Sequence, residues 1–207
     1  MLHGSTARLK IMNIDTYILL WINSHHAEWL DQIMWWVSKS ITWIPLYLLL
    51  VGLIINRYRS WKIVVPILLA FALAVGLSDF ICSGILKPFV ERLRPTHETT
   101  LAPFLNIVNG YKGGMYGFCS SHAANTLACA LLFIFLYNNK ITTSILIVWV
   151  AINSYSRVYL GVHYPTDIMA GWIIGSATAF LAYALLHLLQ KRHTHHVGGE
   201  AALRAGS

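Results

Sequence analysis

Apolar residues in this chain fall in long blocks rather than in stripes. The blocks cover residues 32–55, 63–86, 121–137, 141–155 and 166–190, with short polar breaks between them. At ~1.5 Å of rise per residue, a helix of ~20 such residues crosses a ~30 Å hydrocarbon core. The pattern predicts an all-α, polytopic membrane bundle of about five transmembrane helices. Residues 13–23 make about three turns, too short to span, and are read as an interfacial helix. His25, His26 and Glu28 then form a wet polar break.

Within the blocks a few residues stand out. Trp35, Trp36 and Trp43 are placed as interfacial anchors, and Pro45 as a kink in the first span. Asp79 lies in the last third of the second span, where a carboxylate needs a partner, and the nearby basic residues are the expected one. Gly171 and Gly175 give the last span a small-xxx-small spacing that allows close helix approach. Between the second and third spans lies a long polar stretch, 87–118, holding Pro88, Pro95, Pro103 and four glycines. Its length and composition point to function. Residues 11–192 are read as one membrane-embedded domain, with 1–10 and 193–207 as tails.

Composition agrees with the bundle. The chain of 207 residues is 57% hydrophobic and only 11% charged, too few charges to cover a soluble protein of this size. The net charge of +7 is spent on span flanks, which excludes nucleic acid as the expected partner. Cys82, Cys119 and Cys129 show no metal-binding spacing and read as buried small hydrophobes. The run 11–22 contains Asp15 and lacks a small-residue cleavage site, so it does not read as a signal peptide. Histidines 193, 195 and 196 read as a solvated tail cluster.

Basic residues also set sidedness. Arg57, Arg59 and Lys62 form a short loop of the kind retained in the cytoplasm. Counting spans from there puts 87–118 and 156–165 outside and Lys140 and Lys191-Arg192 inside; Arg8 and Lys10 fit this count less well. The cations that break the charge rule, Lys87, Arg92, Arg94, Lys112 and Arg157, gather on the outer side. A site that holds an anion explains them.

Three stretches could build that site. His163 lies four residues before Asp167, and Pro165 suits the first position of a helix. A carboxylate so close can orient an imidazole for nucleophilic or acid–base work. Ser120 is placed to cap the third span, whose N-terminus offers unpaired N–H groups to an anion, and His122 falls in its first turn. Lys87 and Arg94 are seven residues apart, and a short helix begun by Pro88 and ended by Pro95 would point both the same way. Arg157 adds a planar fork suited to phosphate oxygens.

The pattern Lys87-x6-Arg94-Pro95, Ser120-x-His122 and Ser156-Arg157-x5-His163-x3-Asp167 resembles the three signature motifs of the type-2 phosphatidate phosphatase superfamily. The resemblance covers about residues 29–189, and the size is similar to that of compact bacterial membrane members such as undecaprenyl-diphosphate and phosphatidylglycerol-phosphate phosphatases. Cys119 and Ser121 depart from the family's Pro-Ser-Gly-His, which bears on substrate preference more than on the reaction.

The resemblance implies a catalytic trio. His163 would attack phosphorus, Asp167 would hold its other nitrogen, and His122 would protonate the leaving oxygen and then activate water. Lys87, Arg94, Ser120, Ser121 and Arg157 would bind the phosphoryl oxygens. No metal and no cofactor is implied, and no carboxylate cluster for Mg²⁺ is visible in the sequence. The implied activity is hydrolysis of a lipid phosphate or diphosphate at the outer face of a bacterial inner membrane. Undecaprenyl diphosphate, phosphatidylglycerol phosphate, phosphatidate and lipid A phosphates are all candidate substrates. Residues His97, Glu98, Lys112 and Tyr116 are placed around the headgroup. A lipid phosphotransferase and a non-catalytic lipid-phosphate binder are the alternatives, and no pattern specifies an oligomer.

Overall fold

The computed structural model describes residues 13–205, and side chains from 13 to 191. Residues 1–12 and the tail histidines 193, 195 and 196 lie outside the described side chains. Two short helices lead, α1 (Ile14–Ser24) and α2 (Glu28–Val37). Then come α3 (Ile44–Tyr58) and α4 (Trp61–Asp79), the latter continuing through a π-helical turn, Phe80–Leu86, into α5 (Lys87–Val90). Helices α6 (Ser121–Tyr137), α7 (Lys140–Tyr159) and α8 (Pro165–Ala205) complete the bundle. Among the described residues there is no strand, and one bridge pairs Leu93 with Tyr116.

Among the described residues, four segments are long and apolar enough to cross a membrane: Ser40–Tyr58, Trp61–Val90, Lys140–Tyr159 and Pro165–Lys191. The shorter apolar α6 supplies the fifth expected helix and lies at the centre, with Ala124, Ala128, Leu132 and Phe133 all fully buried. Its ends follow from the sequence. Ser120 caps it by accepting from the Ala123 N–H, and Asn138 ends it in the left-handed region at φ 46°.

Two expectations are corrected here. The first block, 32–55, is not one span. Lys39 is extended at φ −85° and ψ 128°, so α2 stops at Val37 and a 3-10 turn, Ser40–Trp43, opens the spanning segment. The Lys39 ammonium sits 3.1 Å from the Trp35 ring centroid, which places this charge on an aromatic face. Pro45 starts α3 instead of kinking a longer helix. Likewise, Lys87 and Arg94 do not share a helix. Glu91 adopts φ 50° and ends α5, and the chain then runs extended. Arg94 comes back beside Lys87 because its N–H donates to the Met115 carbonyl (3.0 Å), while Gly117 N–H donates to the Arg92 carbonyl (2.8 Å).

The glycine spacing in α8 does serve packing. A Cβ on Gly171 would meet the Ser120 carbonyl oxygen at 2.6 Å, and one on Gly175 would run into the Ala124 carbonyl. These glycines let α8 lie against the start of α6, where two site stretches must meet. Gly175→Ala is expected to cost about 1–3 kcal/mol, because the obstacle is backbone that cannot yield. Thermal unfolding in detergent measures this, with Gly52→Ala as the control, since nothing lies within 4 Å of a Cβ there.

α1 inverts the usual amphipathic arrangement. Its inward face carries Asp15, Leu19 and Asn23, all buried, while Ile14, Tyr17, Ile18 and Trp21 point outward. An outward apolar face suits the lipid interface the sequence predicts for it. Asn23 donates to the Tyr159 carbonyl (2.8 Å) and accepts from the Asn106 N–H (2.8 Å). The short helix is therefore tied to both α7 and the long loop.

Candidate active site

The three stretches converge at one end of the bundle. Lys87, Arg94, Arg157, Ser121 and His122 all line one cavity of about 690 Å³. His163, Asp167 and Ser120 form a buried layer outside that cavity lining, 1%, 0% and 0% exposed. The charges of Arg94, Arg157, Lys87 and His122 all act on His163. Eight residues spread over 81 positions of sequence are thus brought into one constellation.

Each cation is held by its surroundings. Lys87 Nζ donates to Ser83 Oγ (3.0 Å) and Ser121 Oγ (2.5 Å), so the serine in place of the family's glycine is a lysine partner. Arg94 Nε donates to the Tyr116 carbonyl (3.2 Å). Gly113 makes room for it, since a Cβ there would stand 2.6 Å from Arg94 Nη1. Arg157, in the last turn of α7, is 1% exposed and donates to Ser38 Oγ and to the Tyr111 hydroxyl (3.2 Å). Its Nε is buried without a hydrogen-bond partner, a donor suited to an anion.

The imidazole and its carboxylate come next. His163 Nδ1 lies 3.4 Å from Asp167 Oδ2, within ion-pair distance, but makes no hydrogen bond among the described residues. Asp167 is anchored by the Tyr164 N–H (3.0 Å) and by Arg92 Nη1 (2.8 Å). Ser120 N–H also donates to the Asp167 carbonyl (3.0 Å), joining the second motif to the third. The Ser120 hydroxyl is used as the cap of α6, leaving the Ser121 hydroxyl on the cavity wall.

Burial and the neighbouring Arg94 and Arg157 push His163 well below the ordinary imidazole value of 6.5. A buried neutral ring is what a nitrogen nucleophile requires. Arg94 itself is pushed down to about 10 by burial and by Arg157. Burial would raise Tyr111, but Arg157 and Arg94 outweigh it and the phenol moves down. The acid limb that His163 gives to kcat/KM is therefore expected below pH 6.5. Arg94→Gln removes one of its causes and should move that limb upward. A limb near 6.5 in the parent, unmoved in the variant, contradicts this picture.

Two residues named in the sequence reading were not assigned to the site there. Arg92 sits between carboxylates: its Nη2 lies 2.6 Å from Asp15 Oδ2, its Nη1 2.8 Å from Asp167 Oδ1, and its Cζ 3.9 Å from the Tyr164 ring centroid. Asp15 also accepts from the Thr166 N–H (2.9 Å) and hydroxyl (2.5 Å). The interfacial helix is thereby locked to the start of α8. In the sequence Asp15 was noted only as a charge within an apolar run and Arg92 only as one of the outer-side cations.

Other placements differ from expectation. His97, Glu98, Lys112 and Tyr116 do not line the cavity; Tyr111 does. Among the described residues Asp79 makes no direct salt bridge; the Lys87 charge acts on it from nearby, and its hydrogen bonds come from Ser83 (3.4 Å) and Asn125 (3.3 Å). The cysteines are buried free thiols, as the sequence reading has them, with Cys82 and Cys119 in contact, Sγ to Sγ 2.7 Å.

A membrane helix bundle with three cations and two imidazoles gathered at one end of its helices is a protein built to handle an anion at a lipid surface. The chain belongs to the PAP2 superfamily, whose sequence profile matches residues 64–191. It is thereby a member of a family of membrane lipid phosphatases.

The chain is 36% identical over 183 residues to a lipid A 4'-phosphatase of Bacteroides thetaiotaomicron, covering 88% of this chain and 81% of that one. An undecaprenyl-diphosphatase of Sulfolobus acidocaldarius is 33% identical over 175 residues, covering 82% and 76%. Among solved structures, a transmembrane PAP2-type phosphatidylglycerolphosphate phosphatase from Bacillus subtilis superposes with TM-score 0.63 at 20% identity, covering 92% of this chain and 89% of that one. Aquifex aeolicus LpxE gives 0.62 at 21%, covering 84% and 97%. At those identities the structures establish the shared fold.

Proposed function

We propose that this protein removes phosphate from a saccharide-based lipid by way of a phosphohistidine at His163. One observation carries the reading: a buried imidazole with a carboxylate 3.4 Å from Nδ1, set beside the cations Lys87, Arg94 and Arg157. In the first step His163 Nε2 bonds to phosphorus and the bond to the lipid oxygen breaks, His122 giving that oxygen its proton. In the second, His122 takes a proton from water, whose oxygen attacks phosphorus and frees phosphate and His163. Lys87, Arg94, Arg157 and Ser121 stabilise the charge on the equatorial oxygens throughout. Asp167 orients His163 and offsets its positive charge as the phosphohistidine forms. Ser120 supports the site through the N-terminus of α6.

Support for a saccharide lipid comes from the 36% identical lipid A 4'-phosphatase, which aligns over most of both chains. Support for an outward-facing site in a bacterial inner membrane comes from the basic turns at the other end of the bundle, at Arg57–Lys62 and Lys140. The test is phosphate release by purified protein in detergent with EDTA, across a glycolipid monophosphate, phosphatidate, phosphatidylglycerol phosphate and a polyprenyl diphosphate. Metal-independent release, fastest from the glycolipid, is the expected result. Release from no lipid at all overturns the reading.

A further inference from the structure

The cavity changes character along its length. At one end stand the phosphate-site cations. At the other, Leu50, Val51 and Ile54 of α3 face Leu68, Phe71 and Val75 of α4. Between them lies a narrow polar zone: Asp79 and Ser83 on the α4 side and Asn125 on α6. This layering follows a lipid phosphate itself, with anion, polar linker and tails in turn.

Asp79 is the unusual member. It sits inside a membrane-spanning segment, where a carboxylate is costly unless it has work to do. It is exposed on the cavity wall and, among the described residues, makes no direct salt bridge, although the Lys87 charge acts on it from nearby. Lys87, two turns further along, directs its hydrogen bonds to Ser83 and Ser121 instead. Asn125 is oriented from behind: Ser78 donates to its Oδ1 (2.6 Å), which turns the amide N–H₂ toward Asp79 Oδ1 (3.3 Å). The bonds from Ser83 and Asn125 to Asp79 both go to Oδ1, and among the described residues the second carboxylate oxygen has no hydrogen bond. His122 and Asn125 are one turn apart on α6, and both line the cavity. A leaving group protonated by His122 therefore extends past Asn125 and Asp79 on its way to the apolar walls.

We infer that Asp79 and Asn125 read the group that carries the phosphate, accepting hydrogen bonds from hydroxyl or amide N–H groups of a sugar and disfavouring a second phosphate at that place. The inference rests on the proposed phosphatase reading and deepens it. A carbohydrate presents donors at the ring positions beside its phosphate. A polyprenyl diphosphate instead brings a negative charge against the carboxylate, with no donor to offer. Asp79 is thus a specificity-determining residue rather than a participant in phosphoryl transfer.

The experiment compares kcat/KM for an acylated glucosamine phosphate with that for a polyprenyl diphosphate, in the parent protein and in Asp79→Asn. The parent should favour the glucosamine lipid. Asp79→Asn should shrink that preference by about 10-fold or more, through a raised KM for the glucosamine lipid and a lowered one for the diphosphate, since a site built for a hydroxyl discriminates strongly. A merely structural carboxylate would lower both substrates together and leave the ratio unchanged, which overturns the inference. Asn125→Ala alters the pair from the other helix and gives the same readout if Asp79→Asn fails to accumulate. A parent with no preference overturns the Asp79 assignment while the phosphatase reading stands; a parent releasing phosphate from neither overturns both.

Discussion

His163→Asn should abolish phosphate release, with a loss of at least about 10³-fold in kcat, the scale on which removal of a catalytic nucleophile or its orienter is felt. Asparagine is the informative replacement because it fills most of the buried site and keeps a polar atom near Asp167. His163→Ala should be equally inactive but leaves a cavity beside Asp167. The second readout is covalent. Parent protein quenched during turnover of ³²P-labelled lipid should carry label that is labile to acid and stable to base, as a phosphoramidate is, and the variant should carry none. His122→Asn should still form the label with an activated leaving group, because the histidine that attacks is intact, but should lose it slowly because no base activates water. Label retained in His163→Asn would mean another residue is the nucleophile, and the arrangement around His163 would have to be read as simple anion binding.

Sequence legibility tracked the range of each interaction. Span positions were readable because apolar blocks of bilayer length are a local signal, and 121–137 emerges with the bounds predicted for it. The motif residues were readable as a set because each stretch carries its own local logic, such as the Ser120 cap and the His163-to-Asp167 spacing. What failed was local continuity. Nothing in the run 32–55 announces that Lys39 breaks the helix, since Trp35, Trp36 and Ser38 around it are all tolerated in helices; beside the break Ser38 meets Arg157, a partner 119 positions away. Lys87 and Arg94 meet as expected, but through a chain reversal clamped by Met115 and Gly117, more than twenty residues away. Arg92 was legible as one of the outer-side cations, but its pairing was not, because its partner Asp15 is 77 positions distant.

Arg92→Met should lower kcat by about 10²-fold with a smaller change in KM, and destabilise the protein by about 3–5 kcal/mol. The stability figure follows from what is left behind. Asp15 is 6% exposed and Asp167 0%, and removing the shared cation leaves two buried carboxylates uncompensated and close to each other. The rate follows from position. Asp167 Oδ2 stands 3.4 Å from His163 Nδ1, so its placement decides whether the imidazole is oriented, and Arg92 fixes the other oxygen of the same carboxylate at 2.8 Å. Arg92→Lys should recover part of the stability through charge, but less of the rate, because one ammonium cannot reproduce a fork that spans Asp15 and Asp167. Asp15→Asn keeps the Arg92–Asp167 pair and should cost less than Arg92→Met in both respects. The double variant Asp15→Asn/Arg92→Met relieves one of the two stranded charges, so it should be more stable than Arg92→Met alone while staying as slow. Thermal unfolding in detergent and steady-state kinetics on one lipid substrate separate these effects. Full activity in Arg92→Met would show that Asp167 is held well enough by the Tyr164 N–H, and that the link from the interfacial helix serves the fold alone.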